Sequence, residues 1–309
     1  MLERRRRLLR LKNVYSISRM IRILGTIFAG LLGLAFGSFL NVCLSRWPAG
    51  ESIVNPRSHC RQCGRMLAWW ENVPLVSWLA LRGRCRTCRA WIGWRYPLVE
   101  LAVGVLWAQQ AWNSLNLMFL PDAPAFDVAL ADTVGKMIFY WLLVTLVVLD
   151  AENLWLPDWL TFPGIALGFL LTTLLAPLDD FWWVERATAK SAALDDLLAI
   201  LLAAGLILLI RWVYWLICRR EGIGLGDAKL MAMLAAWLGL PGALLAFLLG
   251  FVLGTLVGVV MLAIPAAEAK KGEWTVREMP LGTFLCIGGV ISSLWGEPII
   301  AAYLRLAGF

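Results

Sequence analysis

The chain has 309 residues, 61% hydrophobic and 16% charged, with a mean hydropathy of +0.74. That is too apolar for a water-soluble domain, and no run of short alternating segments suggests a transmembrane β-barrel, so an all-α polytopic membrane protein is expected, with the lipid bilayer as its first partner. The formal net charge of +7 is concentrated at one end, where Arg4, Arg5, Arg6, Arg7, Arg10, Lys12 and Arg19 face only Glu3; this suits anionic lipid or topology and argues against nucleic acid as a partner.

In chain order, residues 1–22 form a basic N-terminal extension and about eight transmembrane helices follow, near 23–45, 98–120, 134–150, 158–177, 194–217, 228–240, 242–264 and 281–304. The sixth and seventh are divided only by Gly239, Leu240 and Pro241. Residues 46–97 carry nine arginines against Glu51 and Glu71, which makes this loop cytoplasmic by the positive-inside rule. The acidic loop at 121–133, with Asp122, Asp127 and Asp132, falls outside. The loop at 178–193 is mixed, and those holding Arg219, Arg220, Lys270, Lys271 and Arg277 fall inside. One span cannot leave both the basic extension and the 46–97 loop inside. Either the extension lies on the cytoplasmic surface beside a re-entrant or tilted first span, or the native chain starts at Met20; the second is preferred. No cleavable signal peptide is expected.

The cytoplasmic loop holds two Cys-x-x-Cys pairs, Cys60/Cys63 and Cys85/Cys88. Each pair offers two thiolates, and two pairs complete a tetrahedral four-cysteine zinc site with no open position, hence structural. Disulfides are disfavoured on the cytoplasmic side. His59, the sole histidine, reads as a loop residue beside Cys60. Trp69, Trp70, Trp78, Trp91 and Trp94 suit packing against lipid headgroups. Cys43, Cys218 and Cys286 sit in or beside apolar segments and are given no function.

Carboxylates near bilayer depth are costly and invite a functional reading. The charge-derived topology brings the third span inward to Asp150 and starts the sixth at Asp227, so both reach the cytoplasmic edge. A facing pair can share a proton and serve as base and acid. Glu152 and Asp158, from the same turn as Asp150, compete for the role. Gly222, Gly224 and Gly226 precede Asp227; they permit unusual backbone angles and close approach of another chain.

Several motifs together resemble the type IV prepilin peptidases: GSFLNVCLSRWP at 37–48, CRQC…ENVPLVSWLALRGRCRTC…RYPLVE at 60–100, LDAENLWLPDWLTFP at 149–163, GIGLGDAKL at 222–230 and MPLGTFLCIGG at 279–289, the last with Thr283 where proline is usual. The resemblance runs from about Met20 to the end. It implies that Asp150 and Asp227 are the catalytic pair, with Gly224, Gly226, Asp158 and Lys229 supporting. It implies that residues 98–309 form a membrane aspartyl peptidase domain and that the 46–97 zinc loop is associated with methyl transfer. Prepilins or pseudopilins would lose their leader on the cytoplasmic side of a bacterial inner membrane and be N-methylated using S-adenosylmethionine. No glycine-rich nucleotide motif locates the methyl donor. The rival readings are a non-catalytic membrane scaffold or assembly factor with a zinc knuckle, and a proton-relay transporter.

Overall fold

The structure is a computed structural model, and it describes residues 2–120, 123–175, 189–220, 222, 224–263 and 279–308. The described residues form helices α1 (Leu2–Arg46), α2 (Val76–Ala80), α3 (Arg95–Leu117), α4 (Phe126–Asn153), α5 (Asp158–Leu175), α6 (Ala189–Cys218), α7 (Leu225–Ala263) and α8 (Leu281–Leu306). They contain no strand, only isolated bridges at His59–Met66 and Arg84–Trp91. Most of the expected loops at 178–193 and 265–280, and Asp122, lie outside the described residues.

Among the described residues six helices are long and apolar enough to cross a membrane. The expected count of eight is not reached, for two reasons. Helix α3 interrupts its apolar sequence with Glu100, Gln109, Gln110, Asn113, Ser114 and Asn116. The expected sixth and seventh spans run together as α7, which departs from helical geometry only at Gly239 (φ 65°, ψ 177°), two residues before Pro241. Proline supplies no N–H and crowds the preceding turn, and glycine accepts the left-handed φ that lets the chain continue. The first span lies in a helix unbroken from Leu2 to Arg46, so α1 contains no re-entrant turn.

The chain divides into two compact units, residues 1–141 and 142–309, with the boundary inside α4. In the first, α1 and α3 pack antiparallel through small residues. A Cβ at Gly33 would stand 2.9 Å from Gly104 Cα, and one at Gly37 only 2.7 Å from Glu100 Cα. Such close backbone approach is how helices associate in lipid, where apolar surface alone gives no preference for protein over acyl chain. Asn41 Nδ2 donates to Tyr96 O at 2.9 Å, and Trp107 Nε1 to Met137 O at 2.9 Å.

The second unit is built around the N-terminal half of α7. From Asp227 to Leu238 every residue but Lys229 is buried, as expected of a helix apolar on all sides. Trp237 Nε1 donates to Gly164 O at 2.9 Å and Ser292 Oγ to Gly242 O at 2.8 Å, tying α5 and α8 to α7. A Cβ at Gly288 would lie 2.2 Å from Ala246 O. Gly288→Leu is therefore expected to force α7 and α8 apart at a cost of about 1–3 kcal/mol or more, read as a lower unfolding temperature in detergent; an unchanged midpoint would contradict this packing.

Candidate active site and metal centre

Asp150 sits in the last turn of α4 and Asp227 in the first turn of α7, 5% and 8% exposed. The first turn of a helix leaves N–H groups without intrahelical partners. At α8 one is met from another helix: Thr283 N–H donates to Asp150 Oδ2 at 2.6 Å and the Thr283 hydroxyl to the same oxygen at 3.1 Å. The α8 dipole also favours a negative charge there. Asp227 Oδ2 accepts the Gly224 N–H at 3.2 Å. Leu156 joins the two sides. A Cβ at Gly226 would meet its Cβ at 3.1 Å, and one at Gly282 would meet both Asp150 Cγ and Leu156 Cδ1 at 3.0 Å. The Asp150 carboxyl acts electrostatically on Asp227, and both act on fully buried Cys286.

The other acidic candidates are placed differently. Glu152 is exposed. Asp158, with its side chain 61% exposed, pairs with Lys229, whose Nζ lies 5.8 Å from the Phe162 ring centroid. This pair links the first turns of α5 and α7, and an exposed pair contributes about 0–1 kcal/mol. The expectation for the glycines is corrected. None of Gly222, Gly224 and Gly226 has a left-handed φ. A Cβ at Gly222 would strike the Tyr214 ring at 2.5 Å, and Gly226 is held against Leu156, so side chains of this chain fill the space that those two leave. Thr283 is the contact that sequence reasoning did not single out. Its signals were its place in the first turn of a helix and its departure from proline, which could donate neither hydrogen bond.

The cysteine loop lies within the first unit. The four Sγ atoms of Cys60, Cys63, Cys85 and Cys88 are within 4.8 Å of one another, with Cys60 and Cys88 at 3.7 Å. Zinc–sulfur bonds of about 2.3 Å in tetrahedral geometry place sulfurs about 3.8 Å apart, and a disulfide would need about 2.05 Å. Each knuckle repeats one backbone plan. Cys60 N–H donates to Arg65 O (2.9 Å) and Gly64 N–H to Cys60 O (2.8 Å); Cys85 N–H donates to Ala90 O (2.9 Å) and Arg89 N–H to Cys85 O (3.0 Å). Both turns close through a left-handed residue, Gly64 at φ 69° and Arg89 at φ 57°. Backbone N–H groups of Cys88 and Thr87 bring the Cys85 thiol down to about 6, so a thiolate donor is available at neutral pH. The donor set fits zinc. Beside the knuckles, the Arg65 guanidinium 2.6 Å from Glu71 holds that buried carboxyl below its ordinary range. Trp78, Trp91 and Trp94 pack on one another with ring centroids 4.5–5.9 Å apart, whereas Trp69 is 78% exposed.

Residues 31–114 match the Bacterial Peptidase A24 N-terminal domain and residues 137–259 the Type IV leader peptidase family. Proteins named prepilin leader peptidase/N-methyltransferase align over nearly the whole chain. That of Stutzerimonas stutzeri is 34% identical over 90% of this chain and 93% of its own length. That of Pseudomonas aeruginosa is 36% identical, with the same two coverages. This chain belongs to the type IV leader peptidase family. The family's N-terminal match contains all four clustered cysteines, and its peptidase match contains Asp150 and Asp227. A relative from Myxococcus xanthus, 39% identical, covers 71% of the chain. No solved structure matches the chain. With six of its described helices long and apolar enough to cross a membrane, this is a bacterial multi-pass membrane protein.

Proposed function

We propose that this chain is an aspartyl endopeptidase at the membrane edge that removes the leader of type IV prepilins or pseudopilins and then N-methylates the new N-terminal residue. The observation that carries the reading is the convergence of two buried carboxylates from the ends of α4 and α7, in a chain of the leader peptidase family. Asp150 and Asp227 each engage Oδ2 with fixed donors, and their Oδ1 atoms accept no hydrogen bond from the described residues. In this reading a water engaged by those atoms is the nucleophile. One carboxylate takes the water's proton as it attacks the scissile carbonyl, and the other protonates the departing amine. Gly224, Gly226, Asp158 and Lys229 shape the edge of this centre. The active site faces the cytoplasm of the inner membrane, because the arginine-rich loop and both carboxylates fall on that side by charge.

Zinc is held by Cys60, Cys63, Cys85 and Cys88 as a structural ion. S-adenosylmethionine supplies an electrophilic methyl group for the exposed amine. The test is incubation of the purified chain with a prepilin, with and without S-adenosylmethionine, read by intact mass. Leader loss in both and one added methyl only with the donor is expected; an intact prepilin in the presence of well-folded enzyme would remove the peptidase reading. Within this reading Thr283 positions Asp150. Thr283→Val keeps the N–H and deletes one hydrogen bond to a charged oxygen, worth about 1.5–3 kcal/mol. A roughly tenfold or greater fall in kcat with KM little changed is expected; equal kcat would show that the hydroxyl does not position the carboxylate.

A further inference from the structure

Helix α3 is less apolar than the six spans, yet its residues are sorted by direction. Glu100, Gln110 and Ser114 are buried, as polar groups at bilayer depth are when they face the protein interior. Leu98, Leu101 and Val105 are exposed, and with Trp94 they recur at the three- and four-residue spacing of one helix face. Helix α1, which is long and apolar enough to cross the membrane, fixes the depth of this stripe. The two helices run antiparallel, with Gly37 against Glu100 and Asn41 bonded to Tyr96 O. Two residues beyond that bond on each helix, Trp94 comes level with Cys43, in the last turn before α1 ends at Arg46. Trp94 therefore stands where the span meets the arginine-rich loop, the depth that tryptophan favours.

The apolar face continues into the loop. Trp94 packs on Trp78 with ring centroids 4.5 Å apart and on Trp91 at 5.9 Å, yet Trp91 and Trp94 remain 54% and 60% exposed. A Cβ at Gly83 would lie 2.7 Å from the Trp91 ring and 2.8 Å from that of Trp78, and Ile92 N–H donates to Gly83 O at 2.6 Å. The segment that carries Cys85 and Cys88 is thus seated on these rings. Its Arg82, Arg84, Arg86 and Arg89 are exposed, and no acid occurs between Asn72 and Val99. Exposed aromatic surface of this kind marks a site of contact with a membrane or a protein. We propose that the cysteine loop is seated on the phospholipid headgroup surface, with Trp91 and Trp94 entering the interface and the arginines pairing with headgroup phosphates. The occupant is lipid because the face prolongs, without a break, the surface that α3 presents at bilayer depth, and because the charge around it suits phosphate. The loop is then a surface-bound element that holds the second knuckle at headgroup depth, not a domain standing out in water.

The test uses the wild-type chain in lipid nanodiscs that contain phosphatidylglycerol with a photoreactive diazirine on the first carbons of one acyl chain. Labelled residues are located by peptide mapping, with Phe36 and Phe39 of α1, both exposed, as the reference for lipid contact. Label on Trp91 and Trp94 within about threefold of that on the reference is expected. Label on the reference but none on either tryptophan overturns the proposal. The mapping is repeated with added prepilin. Unchanged label on Trp91 and Trp94 supports lipid as the occupant, whereas its loss there with the reference unchanged assigns the face to a protein partner and overturns the proposal. Neither arm depends on the reaction proposed above, because both read contact and not turnover.

Discussion

Asp150→Asn and Asp227→Asn are each expected to slow leader cleavage by at least about a thousandfold, within the range that general acid–base groups contribute. Neither variant should unfold. Asparagine keeps an oxygen to accept the Thr283 donors at position 150 or the Gly224 N–H at position 227. Each change also removes an ionisable carboxyl from a buried pair, so an unfolding temperature equal to or above that of wild type is expected. The double variant should be little slower than either single one, because residues that act as a unit lose their joint contribution with the first removal. The measurement is a time course of prepilin cleavage by intact mass beside thermal unfolding of the same preparations. Cleavage by both single variants within about threefold of wild type would take the pair out of the mechanism and bring back the membrane scaffold.

What could be read from the chain depended on how local its physical cause is. Span lengths are set by bilayer thickness and orientation by loop arginines, so the shared depth of Asp150 and Asp227 follows without any contact being known. The two Cys-x-x-Cys turns are equally local, since each knuckle closes within six residues through its own backbone hydrogen bonds. The kink at Gly239 was legible as a Gly-Leu-Pro break, but not that helix would resume immediately on both sides of it. The contacts that finish each site are non-local. Thr283 reaches Asp150 across 133 positions and Tyr96 meets Asn41 across 55, and no periodicity encodes either pairing. The glycines before Asp227 were visible, but not that Tyr214 and Leu156 would occupy the space at two of them. Three of the loop tryptophans pack together, a tertiary outcome that the residue type's preference for headgroups could not anticipate.

Cys60→Ser is expected to reduce bound zinc from about one per chain to a small fraction, and to impair methylation at least tenfold more than leader cleavage. The loop between α1 and α3 has little regular secondary structure to order it. Its described residues form only short helical turns and two isolated bridges, and of the four cysteines only Cys85 is buried. Metal binding then supplies much of the folding free energy of such a segment, about 10–16 kcal/mol for structural zinc in small domains. Losing one thiolate of four should loosen both knuckles and raise protease sensitivity between residues 50 and 97. The selectivity follows from the division of the chain. The cysteines lie in the unit of residues 1–141, whereas Asp150, Thr283 and Asp227 belong to the unit of residues 142–309. Measuring zinc, cleavage and methyl incorporation on one preparation tests each step, and equal loss of both activities at normal protein levels would mean that the zinc loop supports the peptidase centre as well. Retained methylation without zinc would instead separate the metal from methyl transfer.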